Sequence, residues 1–151
     1  MTTASDPDED VTLLHATSVA IGGQAVLLMG RSGSGKSDLA LRLIDRGARL
    51  ISDDYSQCER RGDALFTSPP GTIAGKMEVR YIGVVSMPNV QDVPVVLAIG
   101  LDDKPQRMPD PATTIDILGV SLPLIQLDAF EPSAPIKAEL ALRGLAEAGT
   151  T

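Results

Sequence analysis

The sequence predicts an α/β fold, a single phosphate-loop domain built on a mixed sheet. Three observations carry this. Residues Gly30 to Ser37 read Gly-Arg-Ser-Gly-Ser-Gly-Lys-Ser, which is the G-x-x-x-x-G-K-S/T phosphate loop. An apolar run of strand length, Gln24 to Met29, precedes it, and a helical pattern, Asp38 to Arg46, follows it. A second apolar run, Thr17 to Ile21, lies upstream across Gly22-Gly23, a dipeptide suited to a tight hairpin turn with positive φ. A hairpin feeding a strand–loop–helix unit puts antiparallel pairing beside the loop, so the sheet is mixed.

Residues 1 to 10, with the run Ser5-Asp6-Pro7-Asp8-Glu9-Asp10, read as a disordered acidic tail ahead of a domain spanning 11 to 147; 148 to 151 read as a flexible end. In the helix after the loop, Leu39, Ala40, Leu43 and Ile44 share one face and Gly47 supplies the stop. Ala48 to Ser52 is then a short strand ending in Asp53-Asp54. Tyr55 to Glu59 and Ala64 to Thr67 flank Arg60-Arg61-Gly62-Asp63 as a second hairpin. Ser68-Pro69-Pro70-Gly71 opens a loop running toward Arg80. Ile82 to Ser86 and Val93 to Ile99 are apolar strands, Asp102 to Pro111 a surface loop, and Thr114 to Leu118 and Leu122 to Leu127 further strands. Ser133 can cap a last helix with Pro135 in its first turn and Ala138, Ala141, Leu142 and Leu145 on its apolar side.

The chain's 151 residues suffice for one core, and with 43% hydrophobic but only 3% aromatic residues that core is aliphatic. A net charge of −7, from 20 acids against 13 bases, argues against nucleic acid as a partner. The single cysteine, Cys58, forms no internal disulfide and fits a reducing compartment. With an acidic N-terminus and no long apolar run, a cytoplasmic protein without membrane contact is expected.

The loop points to a nucleoside triphosphate. Glycines let successive N–H groups of Gly30, Arg31, Ser32, Gly33, Ser34 and Gly35 turn toward one anionic centre. Lys36 can reach the β- and γ-phosphates, and the Ser37 hydroxyl can ligate Mg²⁺. The following helix aims its positive dipole end at the same place. Asp53 and Asp54 are the acidic partners, only 17 and 18 residues after Lys36, much earlier than many phosphate-loop proteins place such an acid. Adjacent side chains on an extended segment point apart, so the pair is expected to divide two roles, a metal contact and a base. Glu78 and Arg80 alternate and would project together, as a site pair or a surface ion pair. His15, the single histidine, lies just before the expected first strand and could orient a carboxylate.

Taken in order and spacing, His15-Ala16-Thr17-Ser18-Val19, the loop Gly30 to Ser37 and Arg46-Gly47-Ala48-Arg49-Leu50-Ile51-Ser52-Asp53-Asp54 resemble the HPr kinase/phosphorylase family. Met77-Glu78-Val79-Arg80-Tyr81-Ile82-Gly83 resembles the family's signature segment, and Ile117-Leu118-Gly119-Val120 has its counterpart too. The resemblance covers about residues 12 to 127 and is to the C-terminal catalytic domain, without the family's N-terminal domain. It implies a core related to that of phosphoenolpyruvate carboxykinase. It implies transfer of the ATP γ-phosphoryl to a serine of a small HPr-like phosphocarrier protein of the phosphotransferase system, and a homo-oligomer, since the family's catalytic domains form hexamers. By position, Asp54 would be the base, His15 its neighbour and Lys36 the phosphate ligand; Ser37 and Glu78 would contact Mg²⁺, with Asp53 a helper. The departure is Leu127 to Pro135, where the family carries an arginine that serves the reverse reaction and this chain has none. Weak or absent phosphorylase activity follows as an expectation, with Arg80 or Arg107 the remaining candidates for that charge. A nucleotide sensor without turnover is the competing reading.

Overall fold

A computed structural model describes residues 10–149, so the acidic run over 1–9 and the last two residues lie outside the described part. Eleven strands and two helices follow in the order β1 (Val11–Leu14), β2 (Ala16–Ile21), β3 (Gln24–Met29), α1 (Lys36–Asp45), β4 (Arg49–Ser52), β5 (Ser56–Arg61), β6 (Ala64–Ser68), β7 (Lys76–Val79), β8 (Gly83–Ser86), β9 (Val93–Leu101), β10 (Thr114–Ile117), β11 (Val120–Leu127) and α2 (Ala134–Gly149). Positions 148 and 149, expected in a flexible end, belong to α2. Nine strands form one sheet, ordered β1-β5-β6-β9-β3-β2-β4, with β11 beside β9 and β10 beside β11; β7 and β8 make a separate hairpin. The sheet is mixed as expected: β9 runs parallel to β3 and to β11, and the remaining pairs are antiparallel.

Central β3 shows why. From Ala25 to Met29 its sequence is apolar because both its faces are covered. Val26 and Leu28 pack with Leu39, Leu43, Ala138 and Leu142 of the helices; Ala25 and Leu27 pack on the other side with Ile51, Cys58, Leu65 and Leu122. A bulge in β9 keeps its alternation in phase with that division. Ala25 pairs with Val95 but Val26 with Leu97, so Val93 and Val95 face one core while Leu97 and Ile99 face the other. Cys58 is buried there, and burial pushes its thiol pKa up.

The hairpin turn falls on Gly22 and Gly23, with φ of 58° and 81°. The end of α1 is closed by paired reversed hydrogen bonds, Ala48 N–H to the Leu43 carbonyl and Gly47 N–H to that of Ile44, both 3.0 Å, with Gly47 at φ 114°. That abrupt stop lets β4 begin at Arg49 and return directly to the sheet beside β2. The carboxylates after β4 therefore arrive next to the first turn of α1 within a short stretch of chain.

Three expectations need correcting. Val11–Leu14 is a strand, paired with β5, so His15 sits at the corner where the chain passes from one ladder to the next rather than ahead of the first strand. The loop from Ser68 to Arg80 contains β7. Ile82 lies in the β7–β8 turn, and Ile82 and Val84 are exposed, because this hairpin stands off the main sheet.

Candidate functional site

The phosphate loop joins the end of β3 to α1. Its glycines are required by geometry as well as by torsion. Gly33 and Gly35 have φ of 83° and 96°. A methyl group on Gly35 would come 2.8 Å from the Ala129 Cβ, and one on Gly30 would come 2.5 Å from the Ser34 hydroxyl oxygen. Lys36, buried at the first position of α1, donates through Nζ to the loop carbonyls of Gly30 (2.7 Å) and Arg31 (3.0 Å). The ammonium thus stands inside the loop, held by its rim.

A cleft of about 600 Å³ opens beside the loop. Its lining brings together Lys36, Ser37, Asp53, Asp54, Glu78 and Arg80; Ser32, Gly33 and Gly35 line it too. Gly30, Arg31 and Ser34 face instead a second hollow across the loop. His15 is not part of the cleft lining and reaches it through Asp54. Arg107 lies outside it.

The two aspartates differ sharply. Asp53 is buried, and its carboxylate is fully engaged. Oδ1 accepts from the Ser37 hydroxyl at 2.5 Å and the Thr17 hydroxyl at 3.3 Å; Oδ2 accepts from the Glu78 backbone N–H at 3.1 Å. Asp54 has 58% of its side chain exposed, and its Oδ1 lies 2.9 Å from His15 Nε2. The His15 ring stacks on Tyr55, centroids 5.0 Å apart and planes 26° from parallel. The two side chains meet different partners, but not by strand alternation. Asp54 takes a left-handed backbone, φ 69°, in the bend after β4, and this aims its side chain away from Asp53.

Glu78 lies on β7 and Arg80 in the turn beyond it, so the extended alternation expected for them does not hold. They form no ion pair with each other among the described residues, yet both border the cleft. Residues the sequence reading passed over also shape the site. Thr17 is a buried polar residue in an otherwise apolar strand row, and that mismatch was its one signal. Arg42 fixes the segment after β11 by donating to the carbonyls of Ala129 and Glu131. This guanidinium on α1 is thereby committed to backbone, and Phe130, held beside Gly35, borders the cleft.

The donor set fits Mg²⁺ at a triphosphate. No cluster of three acidic, histidine or cysteine ligands exists among the described residues. Mg²⁺ keeps several waters and takes one or two protein oxygens besides phosphate. Adjacent hydroxyl and carboxylate oxygens on Ser37 and Asp53, with Glu78 at the border, are that kind of set. Chemically, the cleft holds a cation, a run of loop amides, a metal-competent pair and a separate exposed carboxylate braced by an imidazole.

Comparison with known proteins identifies the family and the fold. The family described as HPr Serine kinase C-terminal domain matches residues 9–132. Among curated proteins, the chain is 36% identical over 130 residues to HPr kinase/phosphorylase of Chlorobium luteolum, covering 77% of this chain and 39% of that one. It is 34% identical over 140 residues to that of Chlorobaculum tepidum, covering 82% and 41%. The chain thus spans about two fifths of the length of these relatives. Among solved structures, the Hpr(Ser) kinase/phosphatase from Coxiella burnetii superposes with a TM-score of 0.81 at 30% identity, covering 93% of this chain and 99% of that one.

Proposed function

The chain belongs to the HPr serine kinase C-terminal domain family, and from that premise we propose that it transfers the γ-phosphoryl group of ATP to a serine hydroxyl of a small HPr-like phosphocarrier protein in the cytoplasm. The observation that carries this reading is the division of the acids: Asp53 tied to Ser37 in the buried part of the cleft, Asp54 exposed and paired with His15 at its mouth. A nucleotide sensor needs the first arrangement and has no use for the second.

In this reading Lys36 leaves a loop carbonyl for the β- and γ-phosphate oxygens, and the loop amides share that charge. Ser37 and Asp53, with Glu78, would hold Mg²⁺, which would offset charge on the β- and γ-phosphates. Asp54 accepts the proton of the incoming serine as its oxygen attacks the γ-phosphorus, while the bond from that phosphorus to the β,γ-bridging oxygen breaks and ADP leaves. His15 holds the Asp54 carboxylate in its orientation. Arg80, at the border of the cleft, is free of ion pairs among the described residues and placed to meet phosphate charge. Assembly as a homo-oligomer, hexameric by the family's habit, belongs to the same proposal.

The reverse reaction, phosphate attack on phosphoserine, is proposed to be weak. Two polyanions must meet, and the segment Leu127 to Pro135 supplies no cation of its own. Arg42, the guanidinium that reaches this segment, is spent on its carbonyls.

The test is incubation of the protein with γ-labelled ATP, Mg²⁺ and an HPr-type phosphocarrier. Label on the carrier that survives acid, as phosphoserine does and phosphohistidine does not, is the expected result. ATP binding without label transfer would leave the sensor reading standing. Efficient release of that phosphate on adding inorganic phosphate would overturn the one-way assignment.

A further inference from the structure

We propose that Thr17 is a positioning residue that holds the two aspartates in their divergent arrangement; the inference rests on the transfer reading above. Thr17 lies on β2 with its side chain fully buried. Val19 and Ile21, which share its side of the strand by alternation, pack into the helix-side core. A third aliphatic residue would continue that row, and valine has nearly the shape of threonine. What threonine adds is one hydroxyl, and both its capacities are used. It donates to Asp53 Oδ1 at 3.3 Å and accepts the Asp54 backbone N–H at 3.0 Å.

The second of these bonds matters most. Asp54 is one of four non-glycine residues with positive φ among the described residues. Such a conformation persists in a non-glycine residue only where its surroundings enforce it. The Thr17 oxygen holds the N–H of that very residue. The turn it fixes sends the Asp54 carboxylate to His15, while the donated bond keeps the neighbouring Asp53 carboxylate against Ser37. One buried hydroxyl thus sets the separation between the metal-competent acid and the exposed acid.

The experiment compares Thr17→Val, which keeps shape and loses the hydroxyl, with Thr17→Ser, which keeps the hydroxyl. For transfer to the phosphocarrier, Thr17→Val is expected to lower kcat by about 10- to 100-fold, the range that small misplacement of a reacting group produces. The KM for ATP should change little, because the loop itself is untouched. Thr17→Ser should restore kcat to near wild type. A second readout does not depend on turnover. His15 is the single histidine, so its ring ¹⁵N signals can be read without assignment ambiguity. They should shift in Thr17→Val and return in Thr17→Ser. Should the valine variant not fold, Thr17→Cys, with a weaker donor and acceptor, is expected to lower kcat by at least about fivefold. Wild-type kcat in the valine or cysteine variant, equal losses in the serine and valine variants, or an unmoved His15 spectrum would overturn the assignment. A wild-type protein that transfers no phosphoryl group would end the kinase reading and leave the ring spectrum to judge Thr17.

Discussion

The Ser37 hydroxyl donates to Asp53 Oδ1 at 2.5 Å, and the two bring an alcohol and a carboxylate oxygen together where a divalent ion at the phosphates would need both. Removing the hydroxyl by Ser37→Ala leaves Asp53 Oδ1 with Thr17 alone. The expected outcome is selective: nucleotide affinity measured with Mg²⁺ falls by about tenfold or more, roughly the worth of one charge-assisted contact. Affinity measured in excess chelator should change much less. Equal loss in both conditions would mean that Ser37 serves the loop's fold and not the metal. The adjacent Asp54 faces His15 with more than half its side chain in solvent, and Asp54→Ala is expected to leave that equilibrium unchanged.

At the scale of elements, the strand–loop–helix unit was legible because its signals are local. The strand needs only an apolar run, the loop its glycines and lysine, the helix its apolar side and a glycine stop. Both hairpins were legible for the same reason, down to Gly22-Gly23. What escaped depended on partners distant in sequence. Val11–Leu14 becomes a strand because β5 offers it an edge, and nothing within those four residues announces it. Met77 and Val79 pack against the helix-side core, which fixes β7 in a segment that reads as loop from its prolines and glycines. The two acids were legible as a pair, but the way they part was not, since it comes from a left-handed turn anchored 37 residues upstream. The helix itself carries a plain stability prediction. Leu43 is wholly buried in the helix-side core, and its truncation opens a cavity there. Leu43→Ala should cost about 2–5 kcal/mol in a urea titration. A cost below about 1 kcal/mol would show that α1 is not clamped as described.

For the whole molecule, function depends on two cores meeting along one sheet. The helix-side core holds the loop and α1 against β3, and the opposite core holds β5 so that His15 and the bend after β4 converge. The cleft sets two cations, Lys36 and Arg80, among four acids, Asp38, Asp53, Asp54 and Glu78. The family likeness reaches this level too, since the superposition on the Coxiella burnetii structure covers 93% of the chain. In the proposed mechanism, nucleotide holding and proton acceptance are built on separate residues of that cleft. Rapid-quench transfer from γ-labelled ATP to the phosphocarrier by Asp54→Ala, set beside its ATP affinity, tests this most directly. Affinity should stay within about threefold of wild type while transfer slows by about 10²- to 10⁴-fold, the worth of a positioned general base. Transfer surviving at near wild-type rate, or lost only in step with ATP binding, would contradict it.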